Sequence, residues 1–191
     1  MPDPNRRNES SRRAILEATR ALLAETGYAD LTIGAIAARA GAGKQTIYRW
    51  WGGKSAVVLE ALADSVAEAG TALPDTGDLR ADLRAVLRAT VAEFADPRLS
   101  ATTRALMIET MGDDALAGQV RDRLLRPQLD GVKDRLRAGG VPPAIDLDLV
   151  VELLFGPLYH RWLLRTGPLD DGYADDLVDL VMAAIGERAS G

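Results

Sequence analysis

The sequence predicts an all-α fold of about nine helices, and two observations lead to this prediction. Apolar residues recur at intervals of three and four along most of the chain, as in helices that bury one face. Runs that alternate between apolar and polar residues, the usual signal for strands, are nearly absent. We expect a small helical headpiece at the N-terminus, followed by a larger helical body.

Capping residues and turn residues set the predicted limits of each helix. Ser10 or Ser11 begins the first helix, and Gly27 ends it. Thr32 caps a short second helix that ends at Gly41. The later helices are predicted from Lys44 to Trp51, from Lys54 to near Gly70, and over about 78–95, 98–112, 113–138, 146–166 and 171–188.

Charge is unevenly distributed along the chain, although the net charge is −5. Residues 1–55 contain nine Lys or Arg and five acidic residues, whereas residues 56–191 contain 14 and 23. A basic first quarter ahead of an acidic remainder favours a headpiece that binds a polyanion. We therefore predict a disordered basic tail over 1–9, a polyanion-binding headpiece over 10–55 and a separate helical body over 56–191.

Several classes of site are excluded or disfavoured by composition. The chain has no cysteine, which excludes disulfides and thiolate chemistry, and its single histidine, His160, disfavours a His-rich metal site. No motif for a cofactor or for a catalytic nucleophile is recognisable. The N-terminus lacks the apolar stretch of a secretory signal, and no window is apolar enough to span a membrane. We expect a cytoplasmic protein without a metal, a cofactor, catalytic residues or a membrane partner.

The stretch GAGKQTIYRWWGGKS, residues 41–55, combines dense aromatic residues with basic residues and glycines. On a helical wheel Trp51 lies about 40° from Ile47, whereas Gln45 and Arg49 lie within about 20° of the opposite pole. One edge is therefore expected to seat the helix. The other edge presents an amide, a guanidinium and, on its flanks, the hydroxyls of Thr46 and Tyr48. Such groups bind base edges and phosphates.

Two short helices joined by a glycine turn, with polar groups on the second, match a helix-turn-helix. The glycines at 41 and 43 allow a tight turn and bring the start of the third helix close to a phosphate. A helical hairpin with a merely solvated outer face is the alternative that periodicity leaves open.

The run LTIGAIAARAGAGKQTIYRWWGGKSAVVLEAL, residues 31–62, resembles the headpiece of the tetracycline-repressor family of bacterial transcription regulators. The matching features are a Thr that opens helix two, Ile-Ala before the glycine turn, Thr-Ile-Tyr, an aromatic residue and a Lys that starts helix four. The resemblance implies a ligand-responsive repressor that binds a palindromic double-stranded operator as a homodimer. It also implies that residues 10–55 form a helix-turn-helix DNA-binding domain and residues 56–191 a regulatory and dimerisation domain. Two positions depart from the family pattern, since Gly43 and Gly53 stand where capping side chains are common.

The resemblance also implies roles for individual residues. Thr32 would contact phosphate, Lys44, Gln45 and Thr46 would enter the major groove, and Tyr48 and Lys54 would hold the backbone. Trp50 would neighbour a phosphate, and Trp51 would pack inward. Arg49 is a groove candidate from the helical wheel alone. The predicted DNA-binding residues are Thr32, Gly43, Lys44, Gln45, Thr46, Tyr48, Arg49, Trp50 and Lys54.

The last two helices are predicted to form the dimer interface. In LDLVVELLFGPLYHRWLL, residues 147–164, apolar residues cover more than one face, which is too wide for a single neighbour. Two helices from each protomer would form a four-helix bundle; a central buried helix of a monomer is the alternative. The predicted interface residues are Leu154, Leu158, Trp162, Tyr173, Leu177, Leu180, Val181 and Ala184.

A body of this size exceeds what dimerisation needs, which favours a pocket for a small-molecule effector. Its predicted lining consists of Phe94, Arg104, Met107, Met111, Phe155, Tyr159 and Trp162, with Glu109 and His160 as further polar groups. Each apolar member is also compatible with an ordinary core position. A helical enzyme or carrier and a non-specific architectural DNA-binding protein are the two competing functions.

Overall fold

The computed structural model describes residues 4–69 and 73–189, and every regular element in these ranges is helical. The helices are α1 (Pro4–Asp30), α2 (Ile33–Ala40), α3 (Lys44–Trp51), α4 (Lys54–Ala69), α5 (Leu79–Ala95), α6 (Pro97–Thr110), α7 (Asp114–Val120), a π-helical turn (Arg121–Leu125), α8 (Arg126–Ala138), α9 (Leu147–Leu164) and α10 (Asp171–Ala189). Counting the uninterrupted stretch from α7 through the π-helical turn to α8 as one helix gives nine in the described part of the chain. The predicted all-α fold is confirmed.

The first helix begins earlier than predicted. Residues 1–3 of the predicted tail lie outside the described residues, but α1 already includes Pro4 to Glu9. The physical reason is that proline is favourable in the first turn of a helix and that no helix breaker follows before Ser10. Gly27 interrupts α1 with a positive φ of 77°, at the position predicted to end this helix.

The π-helical turn between α7 and α8 was not predicted. Pro127 lies just after it, and a proline there cannot donate the hydrogen bond that an α-helix would make to the carbonyl of Arg123. Widening the preceding turn is one way in which a helix accommodates such a loss. Pro127 was therefore a signal for this irregularity in the sequence.

The chain divides into two compact units. Unit 1 comprises residues 1–70 and 101–125, and unit 2 comprises residues 71–100 and 126–191. The division differs from the predicted boundary after residue 55, because all of α4, most of α6, and α7 with the π-helical turn belong to the same unit as α1 to α3. The predicted functional division after residue 55 stays a prediction.

Each unit has its own apolar core. The larger core of unit 1 joins α1 to α4 and contains Ile15, Leu16, Leu22, Leu23, Tyr28, Leu31, Ile33, Ile36, Ala37, Ile47, Val57, Val58 and Ala61. A smaller cluster in the same unit consists of Leu59, Leu106, Leu116 and Val120. The core of unit 2 is formed by α5, α8, α9 and α10, and includes Leu83, Leu87, Leu136, Leu154, Leu158 and Val178.

Unit 2 also contains a buried ion pair. Asp82 of α5 is 1% exposed, and its carboxylate lies 2.6 Å from a guanidinium nitrogen of Arg135 on α8, whose side chain is 7% exposed. The hydroxyl of Thr76 donates to the same carboxylate at 2.7 Å. The ion pair and the Thr76 hydrogen bond together attach the loop that precedes α5 to helix α8.

None of the described helices is both long and apolar enough to cross a membrane. Within the same described ranges, no three metal-ligating side chains come together.

Candidate DNA-binding surface

The turn between α2 and α3 follows from its glycines. Gly41 has a φ of 63°, a conformation that favours glycine, and its N–H bonds the carbonyl of Ala38. The N–H of Ala42 bonds the carbonyl of Ala37 at 2.9 Å, which closes the end of α2. The predicted end of α2 at Gly41 is thus confirmed. Helix α3 then begins after Gly43 without a side-chain cap.

One face of α3 seats it in unit 1. Ile47 is fully buried, and Trp50 and Trp51 are half-buried against the larger core of the unit. The two indole rings meet edge to face, with centroids 5.4 Å apart. The orientation predicted from the helical wheel, with the Ile47 edge inward, is confirmed.

The opposite face of α3 is open. Lys44, Gln45 and Arg49 are exposed, Tyr48 is 54% exposed, and Thr46 is half-buried. The guanidinium carbon of Arg49 lies 5.9 Å from the centroid of the Trp50 ring. The face offers an amide, a guanidinium and two hydroxyls on one rigid element, and the exposed ammonium of Lys44 belongs to the first residue of that element. Such groups suit base edges and phosphates. Which of these side chains contacts DNA stays a prediction.

Thr32, just before α2, and Lys54, at the start of α4, both already make contacts within the protein. Thr32 caps α2, because its hydroxyl oxygen accepts the N–H of Ala35 at 3.1 Å. The ammonium of Lys54 donates to the carbonyl of Tyr28 at 3.1 Å and lies 4.1 Å from the centroid of the Tyr28 ring. Lys54 therefore already ties the start of α4 to the end of α1, and a phosphate contact would be its second role.

Glu60 joins four elements of unit 1 and was missed by sequence reasoning. Its carboxylate, 15% exposed, accepts from Arg12 of α1 at 2.7 Å and from Arg123 of the π-helical turn at 3.1 Å. The indole of Trp51 also hydrogen-bonds to it. Burial alone would raise the pKa of Glu60, but the hydrogen bonds from Trp51, Arg12 and Arg123 outweigh burial, so this pKa lies below its usual value. We call Glu60 with these three partners the Glu60 cluster.

Glu109, one of the polar groups predicted for an effector pocket, has another partner. The hydroxyl of the buried Tyr28 donates to its carboxylate. Burial and this hydrogen bond raise the pKa of Tyr28, so its hydroxyl remains protonated. This contact links the end of α1 to α6 within unit 1.

The predicted pocket residues separate into two groups. Phe94, Phe155, Tyr159 and Trp162 come together in the core of unit 2, where the rings of Phe94 and Trp162 stack at 4.3 Å. The Trp162 indole donates to the hydroxyl of Ser100 at 2.7 Å. Arg104, Met107 and Met111 belong to unit 1 instead. Met111 is 87% exposed at the end of α6, and its role in a pocket stays a prediction.

Five of the eight predicted interface residues lie inside the protomer. Leu154, Leu158 and Trp162 of α9, and Leu177 and Val181 of α10, are buried in the core of unit 2. This burial was not predicted, because α9 is apolar all round and periodicity cannot identify which side faces its own core. The role of these residues in an interface stays a prediction. Tyr173 is half-buried beneath the Arg161 guanidinium. Leu180 and Ala184 are exposed on α10.

The exposed apolar face of α9 lies on its other side. It consists of Leu149, Leu153, Leu163 and Leu164, with Gly156 and His160 between them. A shallow apolar groove beside it is lined by Leu149 and Leu153 of α9 and by Val181 and Ala184 of α10.

Comparison with known proteins gives matches over both parts of the chain. Residues 15–61 match the family described as "Bacterial regulatory proteins, tetR family", and residues 73–181 match "Tetracyclin repressor-like, C-terminal domain". The chain is 33% identical to the HTH-type transcriptional regulator YdeS of Bacillus subtilis, over 90% of this chain and 88% of that protein. It is 30% identical to the DNA-binding transcriptional repressor TetR of Mycobacteroides abscessus, over 94% of this chain and 95% of that protein.

The structure resembles solved structures as well. The TetR family transcription regulator SCO0332 is 33% identical and gives a TM-score of 0.79, over 90% of this chain and 96% of that chain. The similarity therefore includes the helices outside the helix-turn-helix.

Proposed function

Because the chain belongs to the tetracycline-repressor family of helix-turn-helix transcription regulators, we propose that it is a ligand-responsive repressor. In this proposal a homodimer binds a palindromic operator on the chromosome in the cytoplasm, and it has no catalytic step of its own. A small-molecule effector releases it. The observation that supports the proposal most directly is the exposed polar face of α3, seated by Ile47 and the two tryptophans. The name of the Mycobacteroides abscessus relative supports repression rather than activation.

The side chains on α3 divide by chemistry into two kinds of contact. The Gln45 amide can pair with adenine and the Arg49 guanidinium with guanine, each through two hydrogen bonds. The hydroxyls of Thr46 and Tyr48 suit phosphate oxygens, which position the protein without reading sequence. Gln45→Ala is therefore expected to relax base preference, whereas Tyr48→Phe should weaken binding to all sequences equally.

A single headpiece contacts too few base pairs for genomic selectivity, which favours a dimer with two half-sites. We place the dimer contact on the exposed faces of α9 and α10, around Leu153, Gly156 and Leu180. An apolar stripe of this kind is unusual on the surface of a monomer. Gly156 would let two helices approach closely.

A charged side chain placed within this apolar stripe tests whether the protein dimerises through it. Leu153→Glu is expected to give a monomer in light scattering and to abolish binding to a palindromic site. Leu99→Glu is the matched control, since Leu99 and Leu153 are both 47% exposed and only Leu153 lies on the stripe. A dimer that survives Leu153→Glu would place the interface elsewhere.

We place the effector site at the aromatic group of Phe94, Phe155, Tyr159 and Trp162 in unit 2. Burial, assisted by the nearby Glu93, raises the pKa of Tyr159 to about 12, so its phenol is a hydrogen-bond donor at neutral pH. A compound that releases the operator from the natural protein should fail on Tyr159→Ala. It should still act on Tyr173→Ala, which changes a tyrosine stacked under Arg161 in the same unit. If a saturating compound left operator affinity unchanged, the release mechanism would be wrong.

Selection of bound fragments from random DNA tests the central proposal. We expect a palindrome whose half-sites are separated by about 34 Å, one helical turn, or a multiple of it. Retardation that survives competitor DNA supports a specific regulator. Uniform binding to all sequences would favour an architectural protein, and no binding at all would favour an enzyme or carrier.

A further inference from the structure

Gly34, in the first turn of α2, leaves room for the side chain of Lys44. A methyl group on Gly34 would lie 3.2 Å from Cε and 3.3 Å from Nζ of Lys44. It would also lie 3.7 Å from the hydroxyl oxygen of Thr32. Lys44 is the first residue of α3, so its side chain extends back across the start of α2 instead of following the outward face of its own helix.

The groups around Gly34 share one chemical property. Lys44 is exposed, and its ammonium can donate three hydrogen bonds to an anion. Thr32 accepts the N–H of Ala35 through its hydroxyl oxygen, which leaves the hydroxyl proton for a second partner. The Thr32 hydroxyl and the Lys44 ammonium both lie within 4 Å of the same point, close enough to bind a single phosphate group.

We propose that Lys44 binds a DNA backbone phosphate together with Thr32, and that Gly34 is the positioning residue that directs Lys44 there. This inference depends on the proposed DNA-binding function. It replaces the major-groove role that the family resemblance implied for Lys44 and leaves base reading to Gln45 and Arg49. Lys44 then contributes to affinity and to the position of the protein along the duplex, but it does not contribute to base preference.

The choice of glycine separates this role from a structural one. Glycine is among the least favourable residues in a helix, so alanine at position 34 favours the folded helix. If Gly34 served only the fold, alanine would be neutral or beneficial for the whole protein. If Gly34 makes room for Lys44, alanine displaces the ammonium while the protein stays at least as stable.

The test is a set of variants of the full chain: Lys44→Ala, Gly34→Ala and the two combined. Binding is measured to a duplex that carries the selected operator and to a scrambled duplex, over a series of salt concentrations. Lys44→Ala should weaken binding to both duplexes by the same factor. It should also reduce the slope of log affinity against log salt concentration by about one. Gly34→Ala should weaken binding to both duplexes by at least about twofold. In the Lys44→Ala background the same change should cause no further loss of affinity.

Gly118→Ala is the matched control for the Gly34→Ala change. It adds a methyl group inside α7 of the same unit, where the nearest side-chain atom is 3.6 Å away, an ordinary contact. We expect Gly118→Ala to leave the affinity for both duplexes unchanged. Thermal denaturation should show that the Gly34→Ala and Gly118→Ala variants are both folded.

Two results would overturn the inference. A Lys44→Ala variant with relaxed base preference and an unchanged salt slope would show that Lys44 reads bases. An equal loss from Gly34→Ala with and without Lys44 would show that the methyl group obstructs DNA directly. Failure of the natural chain to bind either duplex would instead overturn the proposed function, so the two failures are distinguishable.

Discussion

Glu60 in unit 1 and Asp82 in unit 2 are both carboxylates held by arginine, but their surroundings differ. Asp82 is 1% exposed and is bound by Thr76, six residues away in sequence, and by Arg135. Glu60 keeps some contact with solvent, and its partners come from α1, α3 and the π-helical turn. Asp82 holds one loop against one helix, whereas Glu60 connects α3, which carries the candidate DNA-binding face, to three other elements. From this difference we expect similar ion pairs to serve stability in one place and to position a binding element in another.

The largest effect is expected from removing the buried partner in unit 2. Asp82→Ala leaves the Arg135 guanidinium buried without its main counter-charge and should lower the free energy of unfolding by about 3–5 kcal/mol. Urea denaturation measures this change. Asp179→Ala is the control, because Asp179 pairs with Arg80 and Arg84 on a largely exposed surface, where the loss of stability should be far smaller. Equal losses in the two variants would contradict the distinction between buried and surface pairs.

Glu60→Gln should have a smaller effect on stability and a clearer effect on DNA binding. The amide keeps one acceptor oxygen, but it removes the charge that two arginines share, so we expect a loss of about 1–3 kcal/mol. Operator affinity should fall as well, since Trp51 loses a charged partner and α3 is held less firmly. Binding and urea denaturation on the same samples separate the two effects.

The control for this change is Glu25→Gln, which removes an exposed pair with Arg39 in the same unit and should leave both measurements nearly unchanged. If Glu60→Gln reduced stability without any change in operator affinity, Glu60 would resemble Asp82 in function, and the comparison would fail.

Acidification should weaken both the Glu60 cluster and the Asp82–Arg135 pair. Burial alone would raise the pKa of each carboxyl, but hydrogen bonds from Thr76 and Arg135 to Asp82, and from Trp51 and Arg12 to Glu60, hold both pKa values below their usual range. A depressed pKa in the folded state contributes stability that is present above the unfolded pKa of about 4 and is lost as pH falls through the folded pKa. Below about pH 4 each group should contribute a slope of up to about 1.4 kcal/mol per pH unit.

Urea denaturation over this acidic range measures the slope. Asp82→Asn and Glu60→Gln should each flatten it, because neither replacement can take up a proton there. A slope that is unchanged in both variants would mean that other carboxyl groups dominate acid unfolding.

Local features were predictable from the sequence. Both ends of α3 and its buried Ile47 follow from flanking glycines and from helical periodicity, which depend on neighbouring residues alone. Pro127, just after the π-helical turn, is a local sequence signal that accompanies it. The outward side chains of α3 followed from the same periodicity.

Features that depend on distant residues were not predictable. Glu60 is separated from Arg12 by 48 residues and from Arg123 by 63, and no local pattern links them. The side of α9 that faces its own core was not predictable for a related reason. Leu153 and Leu154 are equally apolar, and only the packing of α9 on α5, α8 and α10 determines which of them is buried.

The smallest effect is expected from Trp51→Phe, which tests whether the position of α3 depends on Glu60 directly. Phenylalanine keeps an aromatic ring against the core but cannot donate to the carboxylate, so we expect a loss of about 0.5–1.5 kcal/mol. In the Glu60→Gln background the same change should cost less, because the charged acceptor is already gone. Trp50→Phe is the control, since Trp50 neighbours Trp51 on the same core, and its change should be insensitive to the residue at position 60. If Trp51→Phe costs the same in both backgrounds, its indole acts through packing alone, and the Glu60 cluster holds α4 and α1 without holding α3.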